Sequence, residues 1–233
     1  MSASGGDGRA GGRSLKVRVK TARKRSMSSA LWLKRQLNDP YVAQAKRDGY
    51  RSRATYKLIE IDDRARLLKP GRRIVDLGAA PGGWSQIAAQ RVGAGGRVIA
   101  IDVLEMEPIA GVEFLQLDFL DPAAPEILKA LLRGKADGVM SDMAANATGH
   151  KKTDHLKIVG LAELAVEFAR EVLSPGGFFL AKVLQGGSEH QILSLLKQDF
   201  TQVRHVKPQA SRADSAELYV LATGFRGVAS PAA

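Results

Sequence analysis

The sequence IVDLGAAPGGWSQ, Ile74–Gln86, combines an apolar strand, a glycine-rich loop and the start of an amphipathic helix. Gly78, Gly82 and Gly83 allow the backbone to approach a ligand closely and place amide donors at a helix N-terminus. The loop reads G-x-x-P-G-G, whereas a dinucleotide-binding loop reads G-x-G-x-x-G. Pro81 also removes an amide where a phosphate-binding turn needs one. The stretch therefore predicts a nucleotide-binding α/β fold and disfavours a pyrophosphate ligand and a dehydrogenase.

Strands and helices alternate through the rest of the chain, which indicates a mostly parallel sheet with helices on both faces. The last two strands are joined by a short link and should pair antiparallel. We expect a Rossmann-like fold with seven strands and an antiparallel last strand. Predicted strands cover residues 73–78, 97–102, 112–118, 137–142, 177–184, 203–208 and 217–223, and predicted helices cover about 54–68, 83–92, 122–133, 153–173 and 188–199.

The positive charge is concentrated near the N-terminus. Residues 1–57 contain 15 Lys and Arg against 3 Asp and Glu, whereas the remaining residues contain 20 against 21. Because Trp32, Tyr41 and Tyr50 are interleaved with these charges, their rings either stack on RNA bases or pack on the protein. We predict a disordered basic arm at residues 1–30, a catalytic domain at 31–226 in which 31–57 faces RNA, and a short tail at 227–233.

Composition excludes several classes of site and protein. The chain has no cysteine, so disulfides, cysteine-ligated metal centres and cysteine nucleophiles are ruled out. His150, His155, His190 and His205 lack metal-ligand spacing, so no metal is expected. No apolar run reaches the length that crosses a bilayer, which excludes a membrane partner and favours a cytoplasmic protein. The Arg-rich start is also compatible with an organellar transit peptide.

Each of the first three predicted strands contains a carboxylate, inside it or as its last residue. Asp76 lies inside the first strand, Asp102 closes the second and Asp118 closes the third. Strand ends of an open α/β sheet meet at one crevice, where Asp102 could bind ribose hydroxyls and Asp118 an adenine amino group. The pattern predicts S-adenosyl-L-methionine as cofactor, although strand-end caps remain the alternative. Asp76 could bind the methionine ammonium, and Trp84 either flanks the cofactor or begins the core face of its helix.

Four charged residues occupy positions that otherwise belong to the core: Lys57, Asp142, Lys182 and Glu217. Each alone could be a snorkelling or strand-end charge, but together they suggest a mutually compensating cluster. A second ammonium nearby and partial burial lower the pKa of a lysine, so that a neutral amine can remove a proton from a hydroxyl. Acidic neighbours oppose that shift while they fix the position of the amine. The missing cysteine argues against pyrimidine C5 methylation, and the sequence after Asp142 lacks the two prolines and the aromatic residue typical of amine methylation. Ribose oxygen is the remaining methyl acceptor.

Several motifs in order resemble the FtsJ/RrmJ (RlmE) family of 23S rRNA (uridine-2′-O)-methyltransferases. They are VDLGAAPGGWSQ, IDVLEMEPIAGVEFLQLDF, VMSDMAANATG, AKVLQGG and SRADSAELYVLATG, and the similarity runs from about Leu31 to Phe225. The resemblance implies a class I methyltransferase with a catalytic tetrad at Lys57, Asp142, Lys182 and Glu217, in which Lys182 is the base. It also implies contacts with S-adenosyl-L-methionine from Gly82, Trp84, Asp102, Asp118 and Asp142.

The resemblance further implies a uridine in the A-loop of 23S rRNA as substrate, methylated on the 50S subunit. Ala145 departs from the proline usual in the family, and the basic extension before about Ser28 is longer than in common members. Alternatives are a tRNA 2′-O-methyltransferase and an RNA-binding ribosome assembly factor whose methylation site is vestigial. A monomer is the default expectation.

Overall fold

The sheet of this protein, described in a computed structural model, has seven strands in the order β3-β2-β1-β4-β5-β7-β6. The structure describes residues 33–34, 36–144, 151–186, 189–212 and 215–227. The strands are β1 Arg73–Leu77, β2 Arg97–Asp102, β3 Val112–Gln116, β4 Ala136–Ser141, β5 Leu173–Leu184, β6 Phe200–Val206 and β7 Glu217–Phe225. β1 to β5 pair in parallel, while β7 runs antiparallel to both β5 and β6. The predicted seven-stranded sheet with an antiparallel last strand is confirmed.

Helices cover both faces of the sheet, as predicted. They are α1 Pro40–Arg47, α2 Ala54–Ala65, α3 Gly83–Val92, α4 Ala124–Leu132, α5 Lys151–Val172 and α6 Glu189–Asp199. Apolar residues of α2 and α3 pack on one face, together with Ile74, Met140 and Leu221 of the sheet. Apolar residues of α4, α5 and α6 pack on the other. Successive strand residues alternate between these two cores.

Helix α1 was not predicted, and the other main differences from the predicted elements lie at strand ends. β5 begins at Leu173 and includes residues 174–177, with a register shift against β4, so the helix before it ends at Val172. β3 ends at Gln116, which leaves Asp118 two residues beyond the strand instead of closing it. In β5, Pro175, Gly176 and Gly177 interrupt the apolar pattern that predicts a strand. Backbone pairing with β4 nevertheless begins before them, at Leu173.

The N-terminal segment packs on the body of the protein. Asp39 caps α1 by accepting a hydrogen bond from the amide of Tyr41. The ring of Tyr56 lies 5.5 Å, centroid to centroid, from those of both Tyr41 and Tyr50. Tyr41 and Tyr50 therefore pack on the protein, where they form a small core with Tyr56 and Ala45. Trp32 and the predicted arm at 1–30 lie outside the described residues, as do all but Gly227 of the predicted tail.

Candidate active site

The glycine loop between β1 and α3 is closely surrounded by backbone and side chains. Gly78 has φ +76°, and a Cβ there would lie 2.8 Å from the Cα of Met143. Gly82, the N-cap of α3, has φ +103°, and a Cβ there would lie 2.7 Å from Ile109 Cδ1. Only glycine combines these backbone angles with so little space. The loop is thus held against the segments that follow β2 and β4.

Arg51 ties the N-terminal segment to this loop. Its guanidinium donates hydrogen bonds to the carbonyl oxygens of Pro81 (3.4 Å), Glu107 (2.5 Å) and Pro108 (2.7 Å). Beside it, the side chain of Gln86 accepts from the Arg51 amide and donates to the carbonyl of Gly49. Sequence reasoning missed Arg51, because its acceptors are backbone carbonyls that carry no residue-type signal.

Of the carboxylates that follow β2 and β3, Asp102 bonds to the glycine loop, whereas the bonds of Asp118 in the described residues are local. Asp102 accepts hydrogen bonds from the amides of Ala80 and Leu104, both at 2.9 Å, and so joins the loop to the end of β2. Asp118 is exposed and accepts from the amide of Leu120. Each carboxylate thus accepts from the amide two residues further along the chain, as a residue that caps a strand end does. These bonds leave acceptor capacity on each carboxylate.

Asp76 is fully buried at the edge of the loop. Its Oδ2 accepts a hydrogen bond from the Ser85 hydroxyl at 2.6 Å, whereas its Oδ1 is buried without a partner among the described residues. Burial raises the pKa of Asp76 to about 7, and the charges of Asp142 and Asp102 add to the rise. An unsatisfied acceptor among carboxylates fits a ligand that carries positive charge, as the sulfonium and ammonium of S-adenosyl-L-methionine do.

Trp84 lies in the core. It is 3% exposed, its Nε1 donates to the carbonyl of Ala54 at 2.9 Å, and its ring lies 5.6 Å from that of Tyr219. The side chain therefore packs α3 against α2 and β7. A contact between Trp84 and the cofactor remains a prediction.

The four off-pattern charges form two ion pairs. Lys57 Nζ lies 2.5 Å from Glu217 Oε1, and Lys182 Nζ lies 3.1 Å from Asp142 Oδ1. Lys182 also donates to the backbone carbonyl of Asp142 at 2.6 Å. All four side chains are between 9% and 19% exposed. Sequence reasoning therefore identified a set of residues that the fold brings together.

Tyr219 joins the two ion pairs. Its hydroxyl donates to Asp142 Oδ1 at 2.8 Å and accepts from Lys57 Nζ at 3.2 Å. Burial raises the pKa of Tyr219 well above its usual value, and Asp142 and Glu217 contribute to the rise, so the phenol stays protonated. Sequence reasoning missed this residue because a tyrosine within ELYVLA is indistinguishable from an ordinary core aromatic. Its position two residues from Glu217, on the same strand face, was the available signal.

Strand register explains why these side chains meet. Lys182 is paired with Tyr219 across β5 and β7, so both point to the same face of the sheet. Asp142 follows the end of β4, two residues after Met140, which packs on that same face. Lys57 reaches the cluster from α2, which covers that face. The cluster thus lies at the carboxyl ends of the parallel strands, where ligands bind in open α/β sheets.

Electrostatics keeps the central carboxylate ionised. Burial alone would raise the pKa of Asp142, but the charges of Lys182 and Lys57 and a hydrogen bond from Tyr219 outweigh it and lower the pKa below its usual value. Ionised Asp142 can therefore anchor the Lys182 amine throughout the neutral range.

Comparison with known proteins adds to this geometry. The family model for FtsJ-like methyltransferases matches residues 50–225. This chain belongs to the FtsJ-like methyltransferase family. The matched range contains both the glycine loop and the four residues of the two ion pairs, so it covers the candidate site. The protein is thus a methyltransferase, and methyltransferases of this family generally use S-adenosyl-L-methionine.

Two relatives of this chain have the same name, and each is similar to it over most of its length. This chain is 72% identical over 224 residues to the ribosomal RNA large subunit methyltransferase E of Xanthobacter autotrophicus, covering 95% of this chain and 88% of the relative. It is 68% identical to the protein of that name from Azorhizobium caulinodans, covering 93% and 92%. A crystal structure of a ribosomal RNA methyltransferase from Plasmodium falciparum superposes with a TM-score of 0.70 at 32% identity, covering 77% of this chain and all of that one.

The described part of the chain also bears on metal binding and membrane spanning. Its residues include no group of three or more His, Cys, Asp or Glu side chains that could hold a metal ion. Among the helices described, none is both long and apolar enough to span a membrane.

Proposed function

We propose that this protein transfers a methyl group from S-adenosyl-L-methionine to the ribose 2′-oxygen of a uridine in 23S rRNA. The observation that supports this proposal best is the cluster of two ion pairs joined by Tyr219 beside the glycine loop. A buried amine with fixed partners suits proton removal from a weakly acidic hydroxyl. A methyltransferase that used a covalent enzyme intermediate on a pyrimidine ring would need a cysteine, which the chain lacks.

Cofactor binding is proposed to involve Gly82, Trp84, Asp102, Asp118 and Asp142. The bound cofactor supplies an electrophilic methyl group on a positively charged sulfur. Asp102 and Asp118 have unused acceptor capacity for hydroxyl and amino groups of an adenosine, and Asp76 offers a buried acceptor for an ammonium. The glycine loop lets the backbone of residues 78–83 approach this ligand closely.

Lys182 is proposed as the general base. A neutral lysine amine has two N–H donors and one lone pair. Once Lys182 has lost a proton, its two remaining donors can stay bound to the carbonyl and the carboxylate of Asp142, which leaves the lone pair for the substrate hydroxyl. Asp142 would then hold the amine in place and stabilise it once it has gained the proton. Lys57, held by Glu217, would add positive charge beside the oxygen from which the proton is removed.

The RNA substrate is proposed from three sources. The relatives' names specify large-subunit ribosomal RNA, and the motif resemblance specifies the A-loop within the 50S subunit. The net charge of +11, concentrated in the first 57 residues, suits a partner that is rich in phosphate. A monomer acting in the cytoplasm is the simplest form of the proposal, with an organellar location as the alternative.

The test of the proposed base is transfer by a Lys182→Met variant, which keeps the length of the side chain but lacks the amine. The rate at saturating cofactor should fall by roughly 10²- to 10⁴-fold, the usual contribution of a positioned base. Lys135→Met, which removes an exposed lysine at the opposite end of the sheet, is the matched control. Unimpaired transfer by a folded Lys182→Met protein would rule out Lys182 as the base.

A second candidate function is an RNA-binding assembly factor, which the strongly basic N-terminal region favours. Complementation of a growth defect by the Lys182→Met variant would support it. Failure to complement despite normal RNA binding would support the enzyme. Comparing purified tRNA with undermethylated 50S subunits as methyl acceptors separates the tRNA alternative from the ribosomal one.

A further inference from the structure

A groove of about 270 Å³ lies between α2 and the edge strand β6, outside the tetrad. Its floor is apolar and consists of Ile61, Val206 and Leu221. Its walls are polar and carry four nitrogen-bearing side chains: Arg64, Arg204, His205 and Lys207. No carboxylate is among the described residues that line it.

The two arginines of the groove are available to a ligand. Arg64 and Arg204 are both exposed, and the side chain of neither forms an ion pair or hydrogen bond within the described part of the chain. By contrast, Arg51, Arg91 and Arg170 each bind acceptors of the protein. Lys207 donates one hydrogen bond, to the carbonyl of Ser215, and keeps further donors free. The groove therefore concentrates unneutralised positive charge beside an apolar surface.

The groove lies next to the proposed catalytic cluster along both β7 and α2. Val206 is paired with Tyr219, and Leu221 lies two residues further along the same strand, about 7 Å away at the usual strand rise. On α2, Arg64 is two turns after Lys57 on the same helix face, a separation of about 10 Å. These separations are short enough for one RNA strand to contact both the groove and the cluster.

We propose that this groove binds the phosphate backbone of the RNA strand next to the methylated nucleotide. This inference rests on the proposed function, because only an RNA substrate places a phosphate chain beside the cluster. The guanidinium groups of Arg64 and Arg204 match phosphate oxygens in charge and geometry. The apolar floor can contact a sugar or base face, and the groove thereby sets the direction in which the strand leaves the active site.

The experiment measures binding of an unmodified 23S rRNA fragment and of undermethylated 50S subunits between about 50 and 200 mM salt. The test protein is the Arg64→Gln/Arg204→Gln double variant of the full chain. Arg133→Gln is the matched control, because Arg133 is also exposed and unpaired but caps α4 at the opposite end of the sheet. The double variant with lysine at both positions keeps the charge.

For the glutamine double variant we expect the slope of log affinity against log salt to become shallower by about 1.4, since each single-strand phosphate contact contributes about 0.7. Affinity for the RNA fragment near 0.15 M salt should fall about tenfold by the same relation. The lysine double variant should keep the wild-type slope, and cofactor affinity should be unchanged in every variant.

An unchanged slope, or an equal loss in Arg133→Gln, would overturn the proposal. Loss of binding to 50S subunits without loss of binding to the naked RNA fragment would also overturn it, because an acidic protein partner would then occupy the groove. Methyl transfer by the wild-type protein is measured in parallel. If transfer succeeds and the slopes are unchanged, the groove proposal fails alone; if transfer to RNA fails while the slope falls, the proposed function fails alone.

Discussion

Tyr219 is the residue on which the geometry of the candidate site converges, because one hydroxyl contacts members of both ion pairs. A Tyr219→Phe variant keeps the ring in the core and removes only this link. We expect the rate at saturating cofactor to fall roughly tenfold, as befits one lost hydrogen bond to charged groups. Asp142 and Lys57 keep their other partners, so the free energy of unfolding should change by only about 1 kcal/mol.

The control for this change is Tyr50→Phe, which removes a hydroxyl from the tyrosine cluster near α1 instead of from the tetrad. Rate and thermal stability are measured for both variants. A Tyr219→Phe protein that transfers methyl groups as fast as the wild type would show that the two ion pairs act independently.

Asp76 should make stability depend on pH in the direction opposite to most carboxyl groups. Its pKa is raised from 3.8 to about 7, so between these values the folded state binds a proton that the unfolded state has lost. The stability linked to this group is therefore greatest at low pH and decreases as the pH rises through 7. An Asp76→Asn variant cannot ionise and should lack this decrease.

Urea unfolding at pH 5 and pH 8, without cofactor, measures this effect. The difference in unfolding free energy between Asp76→Asn and wild type should shift in favour of the variant by roughly 2 to 3 kcal/mol between the two pH values. A difference that is independent of pH would mean that Asp76 is ionised in the folded protein at pH 5.

At the scale of elements, Arg51 connects the segment between α1 and α2 to the glycine loop and to the loop after β2. An Arg51→Ala variant loses three hydrogen bonds to the carbonyls of Pro81, Glu107 and Pro108. Because the loop is then less well fixed, we expect the Kd for S-adenosyl-L-methionine to rise about tenfold, with little change in the rate at saturating cofactor.

Calorimetric binding of the cofactor measures this change. Arg51→Lys, which keeps one donor group, should recover part of the affinity. Arg47→Ala, an exposed position in the last turn of α1, is the control that removes the same charge. Equal affinities for the Arg51→Ala and Arg47→Ala proteins would contradict a loop-fixing role for Arg51.

Elements also show what could be predicted from the sequence. The alternation of apolar strands and amphipathic helices was sufficient for the sheet and both helical layers, since each period is set by backbone geometry. α1 was not predicted: it begins with Pro40 and buries only Ala45, so its periodicity is weak. The start of β5 was missed because Ser174–Gly177 has a turn composition. Packing and pairing with distant segments determine both features.

The candidate site was predictable in part for a similar reason. Lys57, Asp142, Lys182 and Glu217 stand out because a charge in an apolar run contradicts the pattern around it. Trp84 and Tyr219 conform to their patterns, so only the structure shows that one fills the core and the other also bonds to the tetrad. Contacts such as those of Arg51 depend on which loops become neighbours after folding.

At the scale of the whole molecule, positive charge is unevenly distributed, and the N-terminal arm carries much of it. Residues 1–30 contain eight Lys and Arg against one Asp. Deleting them should weaken binding to RNA or 50S subunits and flatten its salt dependence, because each lost phosphate contact lowers the slope by about 0.7. Affinity for S-adenosyl-L-methionine should change far less. A truncated protein with the wild-type salt slope would show that the arm does not contact phosphates.

The position of methyl transfer is the central claim for the molecule as a whole. Undermethylated 50S subunits are incubated with the wild-type protein and methyl-labelled S-adenosyl-L-methionine, and the RNA is then hydrolysed in alkali. A 2′-O-methyl group blocks cleavage at its own nucleotide, so ribose methylation predicts label in an alkali-resistant dinucleotide. Label recovered in mononucleotides would mean that a base is methylated and would contradict the proposed role of Lys182.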